Sequence, residues 1–489
     1  MMLTTILIVI ILGFLILIRV LRWLAIFQQK EYRWDRCWAY LKTDSGQQDL
    51  IKFIPGTKDL TRTGLKRPKI TLRVGAMAGL LSVILLLICY VLVSQAWLAF
   101  VLGGLMSLML VPILVLIANG PAQLAYFLQT RIYLRQAQQK IKDNNPIVIG
   151  ITGSYGKTST KLLLAHVLAA KFKVFATQRS FNKPFSLARE IVQHYDGQEI
   201  VILEFAAYQL REIDYLASKF PTDMAIITGL ATQHLATFKS LDNIVKAKAE
   251  LLQNLKPAGQ VFINGADPGT ELICNQAQVK KYVKYADKNS RIERPTVTAD
   301  GRLQFFYHQQ LVKTQLVGQQ YFSAAAAATM IAEKLGLTRQ QIIKALTSFK
   351  PSAYFVSFHQ IEASYWLLDD GHTSNPIGFK ATIELAKQIK TQRQKKDQPF
   401  NQVGLITGGM IDLGSESNQI HQQLAKQAQP IFDFVCYPGK PGLNEFRRYF
   451  KDEVITDPVL IKTKLNALRT NDLVVIEGKI PNWLRKYLT

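Results

Sequence analysis

The stretch from Gly150 to Thr160, "GITGSYGKTST", holds the strongest chemical signal in the chain. It follows the apolar run "NNPIVI" and leads into "KLLLAHVLAAKF", so a glycine-rich turn closed by Gly156-Lys157-Thr158 is set between a strand-like and a helix-like segment. Glycines let backbone N–H groups approach phosphate oxygens, a lysine neutralises β/γ charge, and a threonine hydroxyl can ligate Mg²⁺. Gly153, Ser154, Tyr155, Gly156, Lys157, Thr158 and Ser159 are therefore expected to bind a nucleotide, although Ile151 stands where the usual first glycine would, with Gly150 one place earlier. Further on, "IVILEF" ends an apolar run on Glu204, and "IITGLATQHLATF" puts His234 just past the next one. In a parallel sheet the carboxyl ends of strands face such a loop, which makes both residues candidate Mg²⁺ ligands. "VKAKAELL" supplies Lys246, Lys248 and Glu250, a set that a solvated helix face would also explain. "NGADPGT" reads as a turn around Asn264. "LLDDGHTSNP" sets Asp369, Asp370, His372 and Asn375 behind another buried-looking strand, where ligand contacts and plain turns are both common.

The elements that must position these residues alternate in type. From Pro146 the runs "IVIGIT", "EIVILEF" and "DMAIITGL" are interleaved with the helical "KLLLAHVLAAKF", "LREIDYLASKF" and "SLDNIVKAKAELLQNL". Strands alternating with helices of 10–15 residues imply a parallel sheet covered on both faces. Residues 280–317 are more β-like and less regular, and the alanines of "YFSAAAAATMIAEKLGL" imply a closely packed helix. A second α/β block begins near Pro351 with "YWLLDD", "IGFKATIELAKQIK", "QVGLITGG", "FDFVCY" and "DLVVIEG". The expected fold class is α/β: a phosphate-loop middle domain with a mostly parallel sheet over 146–350, and a Rossmann-like α/β domain over 351–489.

An α-helical transmembrane region is expected over 1–145. Residues 2–18, "MLTTILIVIILGFLILI", are uncharged, and so is everything from Val74 to Thr130. These runs are long enough for spans at about 2–22, 74–93 and 97–118. The first segment has no basic n-region and no small-residue cleavage site, which favours an anchor over a removable signal. Residues 28–73 hold eleven Lys/Arg against five Asp/Glu, so the positive-inside rule puts that loop and the catalytic part in the cytoplasm. The segment "QLAYFLQTRIYLRQAQQKIKDNN" then reads as an amphipathic connecting helix.

Across 489 residues, 59 Lys/Arg against 35 Asp/Glu give a net charge of +24 and suggest anionic partners. The basic residues form no single tract and no zinc-finger or RNP-like signature accompanies them, so no nucleic-acid partner is expected. Cys37, Cys89, Cys274 and Cys436 are widely separated and read as free thiols.

Taken together, "TGSYGKTST", "SFNKP", the strand ending in Glu204, "QHLATFKSLDNIVKAKAELL", "NGADP", "LLDDGHTSNP", "ITGGMIDLG" and "NDLVVIEGKIP" resemble the Mur ligase family, in family order. Within it the nearest likeness is to the D-alanyl-D-alanine-adding branch, here in a membrane-anchored form. The resemblance implies an ADP-forming, ATP- and Mg²⁺-dependent ligase that joins an amino acid or dipeptide to a carboxylate of a peptidoglycan precursor. The carboxylate would attack the γ-phosphate, and an amine would displace phosphate from the resulting acyl phosphate. By resemblance, Lys157 and the loop amides hold the triphosphate, Thr158 and Glu204 bind one Mg²⁺, and His234 binds a second. Lys248 matches a lysine that several members carbamylate. Asn182 matches a substrate-side position, Asn264 a nucleotide-side one, and Asp369 the acid that meets ATP on domain closure; Asn375 is taken as a further substrate contact.

Several departures bear on this reading. Gln320, Tyr321 and Ala324 stand where relatives carry "HN..N" near the adenine, and Ala353-Tyr354 replace the Gly-Arg whose arginine reaches the phosphates. The family's usual UDP-binding N-terminal domain is replaced by the apolar segments. A precursor at the bilayer, lipid-linked or UDP-linked, is the expected acceptor. The alternatives are a polyglutamate-type amide ligase and a membrane scaffold that binds ATP without ligating.

Overall fold

Short runs rich in β-branched residues build the first sheet of the computed structural model. It describes residues 2–488 apart from 31, 33, 43, 53–66, 94–96, 179, 232–237, 239, 289, 362–363, 372–374, 411–412 and 414–415. The strands are β1 (Ile147–Thr152), β2 (Val174–Ala176), β3 (Ile200–Glu204), β4 (Thr222–Ile227), β5 (Leu255–Asn264) and β6 (Val283–Tyr285). They pair in the order β2-β3-β1-β4-β5-β6, every pair parallel. All carboxyl ends therefore open on one edge, where the glycine loop leaves β1.

Side chains alternate across β1, so Ile149 and Ile151 enter one core layer while Val148 enters the other. The first layer is capped by the helices Lys157–Leu168 and Phe322–Lys334, through Leu163, Leu164, Val167 and the alanines 324–328. Every one of those alanines is at most 3 % exposed, the close helix packing that the run implies. The opposite layer takes Leu187 and Ile191 from the helix Pro184–His194, Ile244 and Leu251 from Leu241–Gln253, and Leu134 and Ala137. Strands β7 (Ile292–Val297), β8 (Arg302–Tyr307) and β9 (Gln310–Val317) form a separate antiparallel meander, which accounts for the irregular β character of residues 280–317.

The second sheet runs β10-β11-β15-β12-β13-β14, built from Ser357–Gln360, Trp366–Asp370, Leu473–Glu477, Val403–Thr407, Phe434–Cys436 and Val454–Ile455. It is parallel except for the edge strand β10, which pairs antiparallel with β11. The expected α/β class with two mostly parallel sheets is what the chain adopts.

The chain divides into two compact units, Met1–Ile132 and Tyr133–Thr489. In the first, Trp23, Leu24, Phe27, Met77, Val111 and Val115 form a buried apolar cluster. Two described helical stretches, Ile10–Gln29 and Met106–Asn144, are long and apolar enough to cross a membrane, and Leu72–Leu85 is a shorter apolar one.

Candidate active site

The glycine loop is shaped by backbone that only glycine adopts easily. Gly153 has φ 149° and lies so close to Thr228 that a Cβ would run into its hydroxyl. Gly156, at φ 74°, is the left-handed residue preceding the helix Lys157–Leu168. That helix begins immediately behind the turn, so its first N–H groups have no intrahelical acceptors and its positive end faces the loop. Ser154 is tied to the end of β4, its N–H donating to Gly229 O at 2.8 Å and its hydroxyl to Ala231 O at 3.1 Å. Tyr155 donates to Asp267 Oδ2 at 2.6 Å, an oxygen that also accepts from the Leu230 N–H at 2.8 Å. Burial and that bond push the tyrosine pKa well up. The "NGADPGT" turn thus anchors the loop through Asp267, a role that its turn-like sequence did not disclose. Ser159 donates to Gly156 O at 3.0 Å.

Lys157 folds back, Nζ donating to Gly153 O at 2.8 Å, with its pKa lowered by burial and raised in part by Glu204. Glu204 is 1 % exposed, and both its oxygens are engaged. Thr158 Oγ1 donates to Oε2 at 2.9 Å, and Asn182 Nδ2 donates to Oε1 at 3.1 Å. The structure therefore brings Thr158, Glu204 and Asn182 together. The two oxygens 2.9 Å apart suit Mg²⁺, whose octahedral ligands at about 2.1 Å lie about 2.9 Å from one another. Lys161, missed at the level of sequence, places its ammonium 3.2 Å from the same Oε2. Its only sequence signal is its position one helical turn beyond Lys157.

Lys248 is 4 % exposed on the helix Leu241–Gln253, whereas Lys246 on the same helix is exposed. Burial, then the charge of Lys157, lower the Lys248 pKa to about 7, against the pull of Glu250 and Glu212. Glu250 itself accepts the N–H groups of Arg211 at 2.6 Å and Asp214 at 3.0 Å, ordering the turn into Glu212–Ala217. Asn264 is buried at 3 %, its amide donating to Thr228 O at 3.0 Å and its carbonyl accepting from Ala266 N at 3.1 Å. That holds the ends of β4 and β5 together beside the loop. His234 lies outside the described residues, and so does His372.

In the second sheet Asp369 pairs with Arg485 and accepts from Gly371 N at 2.9 Å. Asp370 accepts from Thr382 Oγ1 at 2.6 Å, while burial pushes its carboxyl up to about 6. Asn375, expected at the substrate, caps the helix Pro376–Gln394, its Oδ1 accepting from Gly378 N at 2.9 Å. Such a cap is worth about 1 kcal/mol. In "ITGGMIDLG", Met410 N donates to His421 Nε2 at 3.0 Å, so the Nδ1 hydrogen points to Ser417 O at 2.7 Å and the buried ring stays neutral. Of the departures, Tyr321 accepts from Val356 N at 2.8 Å and packs against Phe355, Ala324 is buried, and Tyr354 is 40 % exposed.

Comparison with known proteins gives this arrangement its setting. Residues 151–332 match the Mur ligase middle domain. The UDP-N-acetylmuramoyl-tripeptide–D-alanyl-D-alanine ligase of Bacillus subtilis is 24 % identical over 344 residues, covering 68 % of this chain and 72 % of the relative. The Mycobacterium tuberculosis ligase of that name is 28 % identical over 292 residues, 58 % of this chain and 56 % of the relative. Among solved structures, MurF of Acinetobacter baumannii superposes with a TM-score of 0.62 at 19 % identity, covering 73 % of this chain and 79 % of that one. The MurF ligase of Thermotoga maritima, solved with ADP, gives 0.61 at 23 %, over 72 % and 80 %. Residues 151–332 thus carry a Mur ligase middle domain, and the fold around it is the one those solved ligases share.

Proposed function

We propose that this protein is an ATP-dependent amide ligase of cell-wall precursor synthesis. It adds D-alanyl-D-alanine or an amino acid to a muramyl-peptide carboxylate through an acyl phosphate. Relatives reported above are named for that addition, and the observation that carries the reading here is the pair Thr158–Glu204, 2.9 Å apart beside Lys157. The first-turn N–H groups of Lys157–Leu168 and the Lys157 ammonium would hold the triphosphate. Thr158 and Glu204 would hold Mg²⁺, which supplies charge neutralisation for phosphoryl transfer. Asn182, fixed on Glu204, would face the acceptor, and His234 remains assigned to a second Mg²⁺. Asp369 would reach the nucleotide as the second sheet closes on the first, shielding an acyl phosphate from water.

The division into 1–145, 146–350 and 351–489 belongs to the same proposal. So does the multi-pass topology, with spans near 2–22, 74–93 and 97–118 and the catalytic domains in the cytoplasm. The two long apolar helical stretches support it. Held at the bilayer, the enzyme would take a lipid-linked or a UDP-linked precursor from the membrane surface.

The test is phosphate release and product mass by the detergent-solubilised full chain with Mg²⁺-ATP, D-Ala-D-Ala, and UDP- or lipid-linked muramyl peptides. Release is expected only with both partners present, and Lys157→Ala should lower it by about 10²–10³. No release across the panel would favour a second reading, an ATP-binding membrane scaffold. The observation on that side is Tyr354, 40 % exposed where the family's phosphate arginine would stand.

A further inference from the structure

Lys161 lies one helical turn beyond Lys157 and is fully buried at 0 % exposure. Its ammonium is 3.2 Å from Glu204 Oε2 and donates to Thr177 Oγ1 at 3.3 Å. A charged amine in such a place is tolerated only when paired. The carboxylate it pairs with is the one whose same oxygen accepts from Thr158. A second buried carboxylate stands by: Glu190, on Pro184–His194, is 4 % exposed, and its charge acts on Lys161. Glu190 Oε1 has no hydrogen-bond partner among the described residues, an expensive condition for a buried carboxylate oxygen. One ammonium thus pairs with an engaged carboxylate at the phosphate loop and feels a second buried carboxylate that keeps an open acceptor oxygen.

We propose that Lys161 is a positioning residue, the internal counter-ion of Glu204, which yields that carboxylate to an arriving divalent cation and turns to Glu190. The inference rests on the metal role given to Glu204 above. Lys161 neutralises Glu204, whose Oε2 stays beside Thr158. A divalent ion on Oε2 would repel an ammonium 3.2 Å from that oxygen. Glu190 Oε1 then receives it, so the lysine never lacks a partner. Lys161 competes with the metal, and Glu190 offsets the competition.

The two carboxylate contacts therefore have opposite effects on metal affinity. Mn²⁺ binding to the full chain in detergent, read by electron paramagnetic resonance at saturating ADP, tests this without turnover. Lys161→Met is expected to bind Mn²⁺ about tenfold tighter and Glu190→Gln about tenfold weaker, the scale of one charge-assisted contact. Glu190→Gln keeps the lysine and its partners, so it decides the matter even if Lys161→Met fails to fold. Unchanged Mn²⁺ affinity in Glu190→Gln, or loosening in a folded Lys161→Met, overturns the inference while leaving the ligase reading intact. Absence of Mn²⁺ binding by the unaltered chain with ADP would instead overturn the metal role of Glu204, and this inference with it.

Discussion

At the scale of single residues, Lys248 is the one whose chemistry the surroundings change most usefully. Burial beside Lys157 lowers its pKa from 10.5 to about 7, so the neutral amine is the folded form above that pH. Between about 7 and 10.5 the unfolded chain binds a proton that the folded chain does not, so this group's contribution to stability rises with pH across that window. Only a neutral amine adds CO₂, which makes Lys248 apt for the carbamylation its match in the family implies. The full chain in ¹³C-bicarbonate at pH 8 is expected to give a carbamate carbon signal that is lost in Lys248→Arg and fades below pH about 7. A signal that survives the substitution would remove Lys248 from that role. The lysine was visible in "VKAKAELL", but its pKa was not, because Lys157 and Glu212 reach it from other segments. Asn375 shows the reverse: a polar residue behind a strand reads alike whether it meets a ligand or, as here, caps a helix.

At the scale of elements, the turn between β1 and its helix puts two glycines to different uses. A Cβ on Gly156 would have Thr228 no nearer than 3.6 Å, so alanine there meets only the left-handed φ of 74°, costing about 1–2 kcal/mol. At Gly153 a Cβ would strike Thr228, whose hydroxyl donates to Thr152 O at 3.2 Å and to Tyr155 O. Gly153→Ala should therefore lower ADP affinity by more than Gly156→Ala does, and cost more in Tm, measurable by calorimetric titration and thermal unfolding. Equal losses would mean that the Thr228 contact does not shape the loop. This loop and the parallel strands were readable because continuous β-branched runs alternate with helical ones. Strand β10 was not, since "SFHQ" is short and ends in exposed His359 and Gln360, leaving no periodic apolar signal.

At the scale of the whole molecule, the first unit presents a row of exposed large apolar side chains. Leu7, Ile10, Ile11, Phe14 and Leu17 are about half exposed along one helix, as are Met106, Met109, Ile113 and Ile117 along another. Exposed apolar area on this scale marks a surface that meets a partner, protein or membrane. The same helices bury Trp23, Leu24, Phe27, Val111 and Val115 in one cluster, and under the topology proposed above their outward faces would meet lipid. Anchoring by helices of this length resists salt and alkali, because each apolar span transfers about 20 residues into hydrocarbon. The chain is therefore expected to stay in the membrane pellet after carbonate extraction and to enter solution only with detergent. If the proposed topology holds, a fluorescent protein fused after Thr489 should fluoresce and resist external protease, since the positive-inside rule would put the basic loop 28–73 and the catalytic part in the cytoplasm. Recovery of the chain in the carbonate supernatant would reduce the apolar helices to a soluble core and remove the bilayer from the account of its acceptor.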